Sequence, residues 1–194
     1  VQFLMKKNKI DVIMGTGKLV AANKLEVTDD KGKASSYEAK NIIVATGTRS
    51  KELPHIKQDG KKIIGYREAM TLPKQPKKMV VMGSGAIGSE FAYFYQAIGT
   101  EVTLVEYLPN IVPNEDEEVS KQLGRSFKKM GMKVMTGASV ESVDTSGTGC
   151  KVIVKTKKGE ETIECDVVLS AVGVISNLEN IGLEEVGIAT DKGK

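Results

Sequence analysis

Met79-Val80-Val81-Met82-Gly83-Ser84-Gly85-Ala86-Ile87-Gly88-Ser89-Glu90-Phe91-Ala92 reads as a short buried strand, a glycine-rich turn and the first turns of a helix. The turn fits G-x-G-x-x-G. A match alone is weak, but here a strand precedes it, a helix follows it, and Glu106 closes the next strand, Glu101–Val105, 18 residues after Gly88. Each position then has a physical reason. Gly83 permits the tight turn, Gly85 offers no side chain where a pyrophosphate would approach the backbone, and Gly88 lets the helix pack close to the sheet. The free amides and the dipole of the helix face the phosphates. Ser84, Ala86 and Ile87 complete the loop, and Glu106 is placed to accept hydrogen bonds from an adenosine ribose. The same carboxylate repels a 2′-phosphate, and Tyr107–Glu118 holds neither Arg nor Lys to offset it, so the pattern selects NAD(H) over NADP(H).

Downstream the alternation continues. Ile87, Phe91, Phe94, Tyr95 and Ile98 recur at helical spacing before Gly99. Asn114 with Glu117 suggests a capping box for a second helix marked by Val119, Leu123, Phe127 and Met130 and ended by Gly131. Met132–Met135 is the third strand. A β-α-β-α-β run predicts a parallel sheet with right-handed crossovers. The predicted fold class is therefore α/β, Rossmann-like, with a β-meander formed by Val140–Val143, Lys151–Thr156 and Thr162–Cys165 ahead of a buried strand at Val167–Val172.

Upstream, Val1–Lys9 has the spacing of a helix end, and Asp11–Met14, Lys18–Ala21, Leu25–Thr28 and Ser35–Ala39 read as strands. Asn41–Ala45 is an apolar run suited to a buried strand before Thr46-Gly47. A short helix is expected near Tyr66–Met70 within an otherwise irregular, proline-bearing crossing. The predicted organisation is residues 1–50, a linker at 51–77, and residues 78–194. Two stretches resemble each other: a hairpin turns at Lys31-Gly32 and runs to Gly47, and another turns at Lys158-Gly159 and runs to Gly173. The second has a β-α-β-α-β unit ahead of it and the first has only a helix end, which reads as a chain that is part of a longer one.

Totals narrow the alternatives. The 194 residues carry 28 basic and 25 acidic side chains, a net charge of +3, too balanced to point to nucleic acid. No apolar run reaches membrane-spanning length. Cys150 and Cys165 fit neither a C-x-x-C motif nor a zinc site and read as two unrelated reduced thiols, which suggests a reducing compartment. His55, the single histidine, sits in a loop-like stretch without a base partner. The chain is therefore expected to hold no metal and no catalytic residue of its own.

Val80–Ala92, with Val102-Thr103-Leu104-Val105-Glu106 after it and Ile43-Val44-Ala45-Thr46-Gly47-Thr48 before it, resembles the dihydrolipoyl dehydrogenases, flavin disulfide oxidoreductases of the pyridine nucleotide-disulfide oxidoreductase family. The resemblance covers essentially the whole chain. It implies that residues 78–194 are an NAD-binding domain and that residues 1–50 are part of an FAD-type dinucleotide-binding domain. It implies an NAD side at Gly83–Gly88, Glu90, Glu106, Val172 and Gly173, and an FAD side at Ala45, Thr46 and Gly47. Glu90, Ala86 and Ile87 would lie near the meeting of flavin and nicotinamide. For the longer protein it implies NAD and FAD as cofactors, a lipoyl-bearing protein of a 2-oxo acid dehydrogenase complex as partner, a homodimer, and a cytoplasmic or mitochondrial-matrix location. Neither membrane nor nucleic acid is expected as a partner.

The family's flavin fingerprint and its C-x-x-x-x-C pair are absent from this sequence, so the chain alone is expected to be inactive. Gly173-Val174-Ile175-Ser176-Asn177 departs from the Arg and Pro that members often carry after the second glycine. NADH-dependent flavin oxidases, coenzyme A disulfide reductases and a stand-alone NAD-binding or redox-sensing module remain alternatives.

Overall fold

Strand alternation upstream of Gly47 produces a small antiparallel sheet. In the computed structural model, which describes residues 1–191, helix α1 (Gln2–Lys7) is followed by β1 (Thr16–Ala21), β2 (Lys24–Thr28) and β3 (Ala34–Glu38), paired in the order β1-β2-β3. Contacts divide the chain into two units, Val1–Arg49 with the stretch from Ile175, and Ser50–Val174. In the first unit Leu19, Val27 and Leu183 are buried. The returning stretch is fastened to β1 by the Leu19 amide, which donates to the Ile181 carbonyl at 2.8 Å, and by Lys18–Glu185 at 3.1 Å. Val1, Phe3, Met14 and Ile43 are left exposed.

Two expectations fail in this unit. Asp11–Met14 and Asn41–Ala45 are irregular, and Ile43 is 90% exposed. A strand exists only through its ladder. Among the described residues, neither segment has a neighbouring strand to pair with, so apolar composition alone leaves both unpaired.

The second unit begins inside β4 (Thr48–Ser50). The stretch read as an irregular crossing holds its expected short helix as α2 (Tyr66–Ala69) and adds a strand, β5 (Ile63–Ile64), with Ile56, Ile63, Ile64 and Ala69 buried. Then come β6 (Lys78–Met82), α3 (Ala86–Ala97), β7 (Glu101–Glu106), α4 (Glu117–Lys129) and β8 (Lys133–Thr136). The meander β9 (Ser139–Asp144), β10 (Cys150–Thr156) and β11 (Gly159–Cys165) follows, and β12 (Val167–Ser170) returns to the main sheet. That sheet is parallel in the order β5-β12-β6-β7-β8, and the meander pairs as β11-β10-β9. Strand β13 (Val174–Ser176) pairs with β4.

Two apolar layers enclose the parallel sheet. Val80, Met82, Val105 and Val168 pack with Val140, Val152 and Val154 of the meander. Met79, Val81, Leu104 and Leu169 pack with Ala92 and Tyr95 of α3 and Phe127 of α4. Residues of the central strands are thus buried alternately on both sides, which is why these strands are uniformly apolar. The helix spacing in the sequence is correct but the buried stripe differs. Tyr95 is buried and donates its hydroxyl to the Ala69 carbonyl at 2.6 Å, whereas Phe94, Ile98 and Val119 are about half exposed.

Both long helices end in the same way. After α3 the Thr100 amide reaches the Tyr95 carbonyl and Gly99 reaches Gln96; after α4 Met132 reaches Phe127 and Gly131 reaches Lys128. The N-cap of α4 is Asp116, whose carboxylate accepts from Glu118 N at 2.8 Å, not Asn114. The Glu115 amide already turns back to the Val112 carbonyl, so the helix starts two residues later than the capping-box spacing suggests.

In the first unit Gly182 has φ +83, and a Cβ there would lie 2.1 Å from the Leu19 carbonyl oxygen. Gly182→Ala is expected to break the Leu19–Ile181 hydrogen bond and to speed hydrogen exchange of the Leu19 amide at least tenfold. Core strands β6 and β7 should keep their protection, and unchanged exchange at Leu19 would refute the fastening.

Candidate functional site

The parallel sheet reverses its strand order between β6 and β12, because the chain moves outward from β6 through β7 to β8 and then returns to the other side. A crevice beyond the carboxyl ends of the strands at such a switch point is where open α/β sheets bind ligands. Three of the expected segments converge there on adjacent strands: Gly83–Gly88 after β6, Glu106 at the end of β7, and Val172-Gly173 after β12. The Gly83 amide donates to the Val105 carbonyl at 2.8 Å and the Ala171 amide to the Met82 carbonyl at 2.8 Å.

The three glycines are not equivalent. Gly83 has φ +92, and a Cβ there would meet the Ala171 carbonyl oxygen at 2.5 Å. Gly88 brings α3 so near the turn that a Cβ would lie 1.9 Å from the Gly83 carbonyl oxygen and 3.2 Å from Ala171 Cβ. Gly85 is different. It is the N-cap of α3 with φ −64, and a Cβ there would meet nothing within 4 Å. Folding requires glycine at the first and third positions of the motif and leaves open space beside the second.

That space is lined by donors. The first hydrogen bond of α3 runs from the Ser89 amide to the Gly85 carbonyl at 2.9 Å. The amides of residues 85–88 therefore precede the helical ladder. The first turn of α3 carries no acidic residue. A ligand phosphate fits these groups in charge and in room.

Glu106 is buried at 7% exposure. Its Oε2 accepts from the Ser84 amide at 2.8 Å and from the Ser84 hydroxyl at 2.7 Å, and its Oε1 accepts from the Leu108 amide at 2.8 Å. A carboxylate offers about four acceptor positions over two oxygens, so Oε1 retains one. Ser84 is fully buried, and its carbonyl accepts from the Ser89 hydroxyl at 2.9 Å and from the Val112 amide at 2.8 Å. Sequence reasoning includes Ser84 for its place in the loop but misses this role. The signal available was a hydroxyl residue just after one strand and an acid at the end of the next, which many sequences share.

Glu90 and Ala86 are exposed on α3, Ile87 is partly so, and Glu90 lies beyond the first helical turn. Val172 packs at the edge of the meander-side core, and Gly173 is exposed with φ +115. Gly173 accepts at its carbonyl from the Lys51 amide at 2.9 Å.

Ala45, Thr46 and Gly47 belong to the other unit and are exposed. There Asn177 donates from Nδ2 to the Thr46 carbonyl at 3.1 Å and from its amide to the Gly47 carbonyl at 3.0 Å. Arg49 binds Asn177 Oδ1 at 2.9 Å and forks onto Glu179 at 2.5 and 3.1 Å. These three side chains escape sequence reasoning, because 128 to 131 residues separate the partners. The Arg49 hydrogen bonds hold the Glu179 carboxyl down at about 2.

Among the described residues no group of three or more His, Cys, Asp or Glu is placed to hold a metal ion, and no helix is long and apolar enough to cross a membrane.

The family model for pyridine nucleotide-disulphide oxidoreductases matches residues 1–194. Dihydrolipoyl dehydrogenase of Zymomonas mobilis is 41% identical over 194 residues, covering 100% of this chain and 42% of the relative. The crystal structure of LpdA from Mycobacterium tuberculosis superposes with a TM-score of 0.85 at 30% identity, over 99% of this chain and 42% of that one. An HOCl-induced flavoprotein disulfide reductase from Escherichia coli has a TM-score of 0.77 at 23% identity over 99% of this chain and 44% of its own, a likeness of fold. The chain thus spans less than half the length of the relatives it matches.

Two outcomes follow from the geometry. Gly85→Ala should leave the unfolding free energy from urea titration within about 0.5 kcal/mol of the original. Gly88→Ala should lower stability by about 2 kcal/mol or more, because backbone must move; equal costs for the two would refute the distinction. For Glu179, a folded-state value depressed from 4.5 to about 2 means that the stabilisation from its pairing is fully present above about pH 4.5 and is lost as pH falls toward 2. Carboxyl NMR should show Glu179 titrating below pH 3, and Arg49→Gln should return it toward 4.5.

Proposed function

The chain belongs to the pyridine nucleotide-disulphide oxidoreductase family, and on that premise we propose that its second unit binds NAD(H) at the β6/β12 crevice, as part of a dihydrolipoyl dehydrogenase. The observation that carries the reading is Gly85. It is the motif glycine whose missing side chain the protein does not itself need, so the open space beside it serves a ligand. The pyrophosphate rests against Gly85 and the leading amides of α3. Glu106 uses three acceptor positions to hold the turn and offers the remaining one on Oε1 to a ribose hydroxyl. No Lys or Arg between Tyr107 and Glu118 is available to neutralise a 2′-phosphate, so NADP(H) meets the buried carboxylate uncompensated.

Bound NAD supplies the hydride-accepting ring. The chain's own residues supply binding and orientation. Val172-Gly173 and the exposed start of α3, with Ala86, Ile87 and Glu90, form the side of the crevice toward the nicotinamide half. In the whole protein, Ala45-Thr46-Gly47 lies at the FAD side, and the reaction is reoxidation of protein-bound dihydrolipoamide of a 2-oxo acid dehydrogenase complex by a soluble homodimer. The identity of the relatives and their greater length support this assignment.

The test is nucleotide titration by calorimetry up to millimolar ligand. Wild-type chain should bind NADH more tightly than NADPH, and Gly85→Val should abolish binding of both. Glu106→Gln is the informative substitution, since it removes the charge and keeps an acceptor for Ser84, while its NH2 replaces the Oε1 acceptor that faces the Leu108 amide. It should weaken NADH by about three- to tenfold and tighten NADPH by about tenfold, at roughly 1.4 kcal/mol per tenfold. Equal affinity of the wild type for both nucleotides would overturn the assignment of Glu106.

A further inference from the structure

The sequence holds two cysteines, and the fold makes them neighbours. Cys150 opens β10, Cys165 closes β11, and the two are directly opposite in the antiparallel register. Both are buried and reduced. The two thiols are near enough for each to shift the other's titration. The strand ends are pressed together: a Cβ on Gly149 would lie 2.5 Å from the Cys165 carbonyl oxygen. Opposed residues in an antiparallel pair have Cα atoms about 4.5–5.5 Å apart, inside the roughly 4.4–6.8 Å span of disulfides. The reading of these residues as unrelated thiols is therefore corrected by the register.

We propose that Cys150 and Cys165 are a modification site, a latent cross-strand disulfide formed by a peroxide-class oxidant and opened by thiols. A cavity of about 490 Å³ lined by both cysteines and by Lys78, Asp144, Glu164 and Asp166 gives the oxidant its approach. Cys150 reacts first. Burial raises both thiols, but the nearby Lys62 ammonium favours the Cys150 thiolate, whereas Cys165 is pushed up to about 12. The Cys150 thiolate attacks hydrogen peroxide: an S–O bond forms, the O–O bond breaks, and hydroxide leaves and is protonated to water. Cys165 then loses its proton and attacks the Cys150 sulfur. The S–S bond forms, the S–O bond breaks, and a second water leaves. Two thiols give up two electrons and two protons, and one peroxide becomes two waters.

The bond would staple a joint. Asp166, next to Cys165, accepts from the Lys77 and Lys78 amides at 2.7 and 2.9 Å and so ties the meander to β6. Cys150 Sγ lies 3.8 Å from the Lys62 and Asp166 carbonyls, at the entries to β5 and β12. The staple stands at the amino ends of the parallel strands, opposite the nucleotide crevice, and the inference does not rest on the proposed function.

The test is to treat the full chain, folded, with hydrogen peroxide, block remaining thiols with iodoacetamide, and map tryptic peptides. The expected product is monomeric, two hydrogens lighter, links peptides 134–151 and 159–192, and is reversed by dithiothreitol. Its thermal midpoint should lie roughly 5–10 °C above that of the reduced chain. Cys150→Ser should remove both the linked peptide and the shift. Intermolecular dimers, sulfinic acid without the linked peptide, persistently alkylatable thiols, or a linked product with a lowered midpoint would each overturn the proposal.

Discussion

The Glu106 carboxylate holds the glycine-rich turn to the end of β7, and the crevice depends on it. By accepting from the Ser84 amide, the Ser84 hydroxyl and the Leu108 amide it satisfies two buried donors and a partly buried one at once. Charge-assisted hydrogen bonds of this kind are stronger than neutral ones, and leaving any of these donors unpaired in a dry site costs about 1–3 kcal/mol. The acid therefore shapes the turn, and in the proposed function it also faces the ribose. The turn in turn fixes where α3 begins, because the Ser84 carbonyl is held by Ser89 from the helix side and by Val112 from the connection into α4.

Around this point the second unit is over-determined. Fully buried Val80, Val81, Leu104, Val168 and Leu169 belong to strands packed on both faces, with the meander on one side and the helices on the other. Each such side chain contributes on the order of 1.5–3 kcal/mol of burial. The first unit is built differently. With Leu19, Val27 and Leu183 as its buried apolar residues, it relies on backbone pairing and on the Arg49, Asn177 and Glu179 group. Asn177 satisfies two carbonyls of the Thr46-Gly47 segment, and Arg49 orients Asn177 while forking onto Glu179. These bonds are solvent-exposed, so they set geometry more than they set stability.

The sequence by itself determined the β-α-β-α-β core, the meander and the glycine motif, because each rests on local periodicity and turn chemistry that a window of about a dozen residues contains. It also placed Glu106 at the end of β7. What tertiary structure decided was pairing. Whether Asn41–Ala45 becomes a strand depends on a neighbour, and composition cannot supply one. Ile63–Ile64 becomes a strand because β12, about a hundred residues later, lies beside it. Asp116 rather than Asn114 caps α4 because the Val112–Glu115 turn uses up the intervening residues. Only the folded chain separates Gly85 from Gly83 and Gly88, since the distinction lies in what surrounds a missing side chain. Only the register brings Cys150 to Cys165. Sequence patterns encode which face a residue presents, whereas distances between elements arise when the layers close.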